Sequence, residues 1–337
     1  GTTSSRSIIF DSNAEIVDIS QKEYPLIYPN DGWVEIDPTE LIKSVTDTLS
    51  NINLDDISSA SITNQRETTI VWDRKSGSPI YNAIVWQDRR TESFCSSIED
   101  KEIQKEISDR TGLILDPYFS ATKIKWILDN VKKSKLLLKS NNLLFGTIDT
   151  FLIWKLTKGK KHLTEATNAS RTMLFNINTN QWDKNILKKL KIPNKILPEV
   201  KNSADNFGTT DKKIAGQEIS ISAVLGDQQA AAVGQACFQK GTTKSTYGTG
   251  AFVIMNTGSK KVFSKNKLLT TICYRLNGKN TYALEGSIFI AGAGVQWIRD
   301  KLKLIDNTYE TDKIARFKKN IGIYIVPAFS GMGAPYW

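Results

Sequence analysis

Apolar positions along the chain fall into two rhythms. Alternation with a period of two marks Arg6 to Phe10 and Glu15 to Ser20 as strands across an Asp11-Ser12-Asn13 turn, then Ala60 to Asn64 and Thr68 to Trp72. After the Lys75-Ser76-Gly77-Ser78-Pro79 turn, Ile80 to Trp86 continues in the same period. Spacings of three and four mark helices instead. Leu41, Ile42, Val45 and Leu49 share a face behind an Asp37-Pro38 start, with Asp as the cap and Pro in the first turn. Ile124, Ile127, Leu128 and Val131 share another over 120–131, and a further helix is expected near Asp149 to Leu156. A loop-rich stretch, Ile192 to Gln217, follows. After Gly226 the pattern restarts: GDQQ opens a small-residue helix through Gly234, and Thr243 to Tyr247 and Ala251 to Asn256 form a hairpin about Gly248-Thr249-Gly250. The order predicts an α/β protein of two domains, 1–235 and 236–337. The second is expected to be incomplete, because so short a remainder makes a thin domain.

Composition narrows the possible functions. With 337 residues, 40% hydrophobic and 24% charged, the chain has enough apolar material for a substantial core. Its longest apolar stretch, 287–297, is broken by glycine, so neither a membrane span nor a signal peptide is expected and the protein reads as cytoplasmic. Cys95, Cys237 and Cys273 lie far apart outside any CxxC spacing and read as core thiols. The net charge of +10 raises the question of nucleic acid, but the lysine clusters at 132–139, 158–161 and 188–195 are scattered and not interleaved with aromatics. They read as solvated helix faces. A basic surface still favours an anionic substrate such as a nucleotide. The single histidine, His162, follows Gly159-Lys160-Lys161 and is expected in a turn, which leaves acid–base chemistry to carboxylates, lysines and tyrosines.

Four stretches carry candidate chemistry. In ITNQRETTIVWD, Arg66 and Glu67 reach one ligand only if the strand has ended and the chain has turned. Arginine offers donors only and an ionised glutamate acceptors only, so together they satisfy a hydroxyl; a surface ion pair is the alternative. In GDQQAAAVGQA, Asp227 is either a helix cap or a carboxylate that takes a proton from a hydroxyl. In TYGTGAF, Thr249 sits in a glycine turn suited to phosphate or simply to a hairpin. In GTTSSR, residues 1–5 read either as the turn of a hairpin whose entering strand is missing or as a frayed polar terminus. A Walker A sequence and a full GxGxxG are absent.

These stretches, with YNAIVWQDRR, TGLILDPYFSATKIKWILDN, FGTIDTFLIWKLT, TNASRTMLFN, YALEGSIFIAGAGVQW and VPAFSGMGAPYW, closely resemble the FGGY carbohydrate kinase family from the first residue to the last. NQRETT and DPYFS point to its glycerol-phosphorylating branch. The resemblance implies the actin-like ATPase fold, with two ribonuclease-H-like domains closing on a cleft that holds ATP with Mg²⁺ and, deeper, glycerol. It implies that Arg66, Glu67, Tyr118 and Asp227 bind glycerol hydroxyls with Gln228 beside them, that Trp86 and Phe252 cover its carbons, and that Asp227 is the general base. Thr2, Thr3, Ser4, Arg6 and Thr249 would surround the β- and γ-phosphates, and Gly292 and Gln296 would lie on the nucleoside side.

Two departures from the family pattern qualify these expectations. Glu218 stands where enteric members carry an arginine used in inhibition by fructose 1,6-bisphosphate, so that inhibition is not expected. The family's Mg²⁺-binding aspartate would precede Gly1, and the rest of the adenine pocket would follow Trp337. Residues 1–337 alone are therefore expected to be inactive, whereas the whole protein is expected to be a homo-oligomer without nucleic-acid partners or stable membrane insertion.

Overall fold

In the computed structural model, which describes residues 1–329 and 331–337, the chain opens on an antiparallel hairpin, Ser4–Phe10 against Ile16–Glu23. The helix Pro38–Ser50 lies along it, started by Asp37, whose carboxylate accepts from the Thr39 amide at 2.7 Å. Their seam is polar. Ser5 Oγ meets Ser44 Oγ at 2.6 Å and Ser7 Oγ meets Thr48 Oγ1 at 2.8 Å, so small hydroxyls let helix and strand approach while partnering each other.

One strand pair sets up the site. Ala60–Asn64 runs parallel to Ile221–Gly226 with Asn64 level with Gly226, so both strands end together. Arg66 and Glu67 leave one strand and Asp227 the other at the same edge, where open α/β sheets gather ligands.

The core of the first half is built on Ile70–Asp73 paired antiparallel with Leu143–Gly146, flanked by the helices Ser120–Asn130 and Ile148–Leu156. Trp72, Phe119, Phe145 and Phe151 are fully buried there. Two expectations need correction. Ile80 to Trp86 forms only the short strand Ala83–Ile84, paired with Glu35–Ile36, with bends and a turn to either side. The stretch 192–217 is loop-rich as expected, with only a short strand, Glu199–Lys201, parallel to Leu163–Glu165, a 3₁₀ turn at Asn194–Ile196 and a four-residue helix, Lys212–Ala215. His162 is not a surface turn residue, since its ring packs edge-on against Trp72 at 5.6 Å and its Nε2 lies 2.8 Å from the Phe145 carbonyl. Burial pulls this imidazole down to about 4.

The second half is a four-stranded antiparallel sheet in the order Thr243–Tyr247, Ala251–Gly258, Lys279–Ile288, Leu269–Leu276. It meets the first half closely. The Thr270 amide donates to the Gly112 carbonyl at 2.9 Å, and a side chain at Gly112, whose φ is +75°, would run into the Thr270 carbonyl at 2.2 Å. The three cysteines are free and buried. Among the described residues no helix is long and apolar enough to cross a membrane.

Candidate active site

Beyond Asn64 the chain turns sharply, with Glu67 at φ +62°, and this turn sends the Arg66 and Glu67 side chains inward together. They are 2% and 1% exposed, which removes the surface ion pair as an account of them. Both line a cavity of about 150 Å³. Thr2, Trp86, Tyr118, Asp227 and Gln228 join them from the first half, and Thr246, the Gly248-Thr249-Gly250 turn and Phe252 from the second.

The apolar wall is aromatic. Trp86 meets Tyr118 at 5.8 Å and Phe252 at 5.9 Å, both edge-on, and its indole Nε1 donates to Thr2 Oγ1 at 3.1 Å. Burial raises the Tyr118 phenol far above its ordinary range, so it stays a neutral donor. Asp227 is the first residue of the helix Asp227–Gly234, and Gly226 holds the cap position. The Asp227 side chain is 42% exposed, with Arg66 Nε 3.2 Å from Oδ1. Gly226 itself is hemmed in, since a Cβ there would lie 2.7 Å from Arg66 Cδ. Gln228 turns its amide oxygen to the Lys244 ammonium, which also donates to Thr246 Oγ1 at 2.7 Å.

Behind the cavity lies a charge cluster that the motifs did not single out. Arg66 grips Glu285 with both terminal nitrogens, Nη1 to Oε2 at 2.6 Å and Nη2 to Oε1 at 2.9 Å, and Nη1 also donates to Gln229 Oε1 at 3.2 Å. Arg171 donates from Nε to Glu67 Oε1 at 2.6 Å and brings Nη2 to 3.1 Å from Glu285 Oε1. Burial opposes ionisation of Glu285, but the two arginines outweigh it and hold its carboxyl at about 2. At Glu67 burial prevails over Arg171 and Arg66, and the carboxyl is raised.

On the open side, the helix Gly292–Asp300 begins against the glycine turn, with the Gly292 amide donating to the Gly248 carbonyl at 2.9 Å. A Cβ on Gly292 would lie 2.6 Å from that carbonyl, so only glycine permits this approach.

Residues 1–234 match the N-terminal domain of the FGGY family of carbohydrate kinases, and residues 243–337 match its C-terminal domain. The chain belongs to the FGGY family of carbohydrate kinases. It is 57% identical over 345 residues to a glycerol kinase of Alteromonas mediterranea and 55% identical over 344 residues to one of Chelativorans sp., covering all of this chain and 70% and 69% of those proteins. Among solved structures, a glycerol kinase of Plasmodium falciparum with ADP superposes with a TM-score of 0.90 at 41% identity, over 100% of this chain and 69% of that one. A gluconate kinase of Lactobacillus acidophilus, at 21% identity and a TM-score of 0.82, covers 94% of this chain and 64% of its own, and shares the fold. That fold is the two-domain actin-like ATPase fold of the FGGY kinases.

Set on this FGGY fold, the expected residues divide. Arg66, Glu67, Trp86, Tyr118, Asp227, Gln228, Phe252, Thr2 and Thr249 meet at one cavity. Thr3, Ser4 and Arg6 do not line it; Arg6 is exposed and donates to Gln21 Oε1 at 2.9 Å across the hairpin. Gly292 abuts the turn, while Gln296 is exposed on its helix and off the cavity. Arg171, Lys244 and Glu285 were missed. Glu285 did carry a signal, because alternation in YALEGSI puts it on the same strand face as Ala283 and Ser287, both buried.

Proposed function

We propose that this chain carries the site for ATP-dependent phosphorylation of glycerol to sn-glycerol 3-phosphate. The observation that carries the reading is the convergence, in one small cavity, of donors on Arg66 with acceptors on Glu67 and Asp227 beneath the Trp86 and Phe252 rings. The identity to glycerol kinases supports the same substrate.

In this reading Arg66 donates to one hydroxyl, Glu67 accepts from it or its neighbour, and the Tyr118 phenol and Gln228 fix the rest. The reacting hydroxyl faces Asp227. Asp227 takes its proton as the oxygen bonds to the γ-phosphorus and the bond to the β-phosphate oxygen breaks, releasing ADP. Thr2 from one half and Thr249 from the other flank the phosphates. Trp86 and Phe252 exclude water, which would otherwise compete for the phosphoryl group. Mg²⁺ bound with ATP would neutralise phosphate charge.

The test is a coupled assay on the whole protein that compares glycerol, xylulose and ribulose at equal concentration with ATP. Glycerol is expected to give the highest kcat/KM; a higher value for either ketose would overturn the reading.

A further inference from the structure

Arg66, Glu285, Arg171 and Glu67 form a closed ring of alternating charge. Arg66 meets Glu285 at 2.6 Å, Glu285 meets Arg171 at 3.1 Å, Arg171 meets Glu67 at 2.6 Å, and Glu67 returns to Arg66 at 3.9 Å. All four side chains are at most 2% exposed. Arg66 and Glu67 line the cavity, whereas Arg171 and Glu285 stand behind them.

The ring spans both domains. Glu285 lies on the strand Lys279–Ile288 in the C-terminal FGGY domain, and the other three residues lie in the N-terminal one. An arginine has five N–H donors. Glu285 and Gln229 take three of them from Arg66, leaving one Nη2 hydrogen for a ligand and a buried Nε–H that faces Asp227 Oδ1 at 3.2 Å without an aligned hydrogen bond. Glu285 thus decides which way the free donors point. Arg171 does the same for Glu67, whose Oε1 it occupies, leaving Oε2 for a hydroxyl.

We propose that Glu285 and Arg171 are positioning residues for polyol recognition: from outside the cavity they fix the free donors of Arg66 and the free acceptor of Glu67. Through Glu285, the polyol site in the first domain is completed by the second. The proposal rests on the glycerol reading above. It takes the buried four-charge ring as an orienting device, because burying an ion pair contributes little net stability but its geometry is specific.

The experiment measures, in the whole protein, steady-state kinetics of Glu285→Gln and Arg171→Lys beside the unmutated whole protein, with ADP binding and thermal melting as controls of the fold. Glutamine keeps the shape of Glu285 but turns an amide N–H₂ toward a guanidinium that can only donate. The expected result is a glycerol KM raised roughly ten- to a hundredfold, with KM for ATP changed less than about threefold and kcat less affected than KM. Lysine at 171 keeps the charge but loses the planar fork, and is expected to raise glycerol KM in the same selective way. If Glu285→Gln does not fold, Glu285→Asp, which draws the carboxylate back by one methylene, carries the same expectation. Glycerol KM within about threefold of the unmutated value in folded variants, or equal losses for glycerol and ATP, would overturn the proposal. Failure of the unmutated protein to phosphorylate glycerol would instead overturn the reading on which it rests.

Discussion

The Lys123 ammonium donates to the Tyr118 carbonyl at 2.6 Å, and to the carbonyls of Pro117 at 2.7 Å and Phe119 at 3.3 Å. A fully buried lysine thus spends its three donors on three successive peptide oxygens, in the turn that delivers the Tyr118 ring to the cavity. Replacement by methionine preserves the apolar stem but leaves those carbonyls buried without partners. Lys123→Met is expected to cost about 1–3 kcal/mol of stability, read from the urea midpoint, and to weaken glycerol binding as Tyr118 loses its seat.

For Asp227 the expectation is chemical. Its side chain is partly exposed and lies outside the closed ring, so asparagine there leaves the fold intact. Asp227→Asn is expected to lower kcat by about 10²–10⁴-fold, the usual contribution of a positioned base. A change of less than tenfold, measured at saturating glycerol and ATP, would place the base elsewhere.

Arg66 combines both kinds of effect, because Asp227, Glu67 and Glu285 all lie within ion-pair distance of it. Removing it strands buried negative charge. Arg66→Ala is therefore expected to cost about 3–5 kcal/mol in stability, well beyond the loss of a ligand contact. Chemical denaturation without glycerol isolates that cost, and an unchanged midpoint would mean the ring relaxes without its arginine.

His162 gives a pH signature free of overlap, since the chain has one histidine. Burial lowers its pKa from 6.5 to about 4, so between these values the unfolded chain binds the proton that the folded chain refuses. Its contribution to stability is thus present above pH 6.5 and is lost as pH falls toward 4. The single imidazole NMR signal should stay in its neutral position down to about pH 4, and His162→Gln should flatten the acid limb of denaturation over this window. An imidazole titrating near 6.5 in the folded protein would contradict the burial account.

Local pattern made much of this molecule legible. Asp37-Pro38 predicts a helix start because capping is settled within three residues, and the end of the strand Ala60–Asn64 follows from polar punctuation beside an apolar run, whereas the strand Ile221–Gly226 was missed. The site residues that touch the cavity lie in stretches with their own chemical character, such as QRE and GDQQ. Arg171 had none: it follows the short helix Ala166–Ala169 among small residues, and only the fold brings it to Glu67, 104 positions away in sequence. His162 was misread for a similar reason. Gly-Lys-Lys signals a turn, but the destination of the ring depends on Trp72, far back in the chain.

Alternating two guanidiniums with two carboxylates has an electrostatic result. The four formal charges sum to zero, and in a compact ring their potentials cancel within a few ångströms of its rim. Asp227 and the buried Lys244 add one charge of each sign nearby. On the proposed reading, the polyanionic tail of ATP entering the cleft meets charged hydroxyl-binding groups without being pushed or pulled by their sum. Dissolved salt screens uncompensated charge, and the polyol end of this cleft presents almost none to screen.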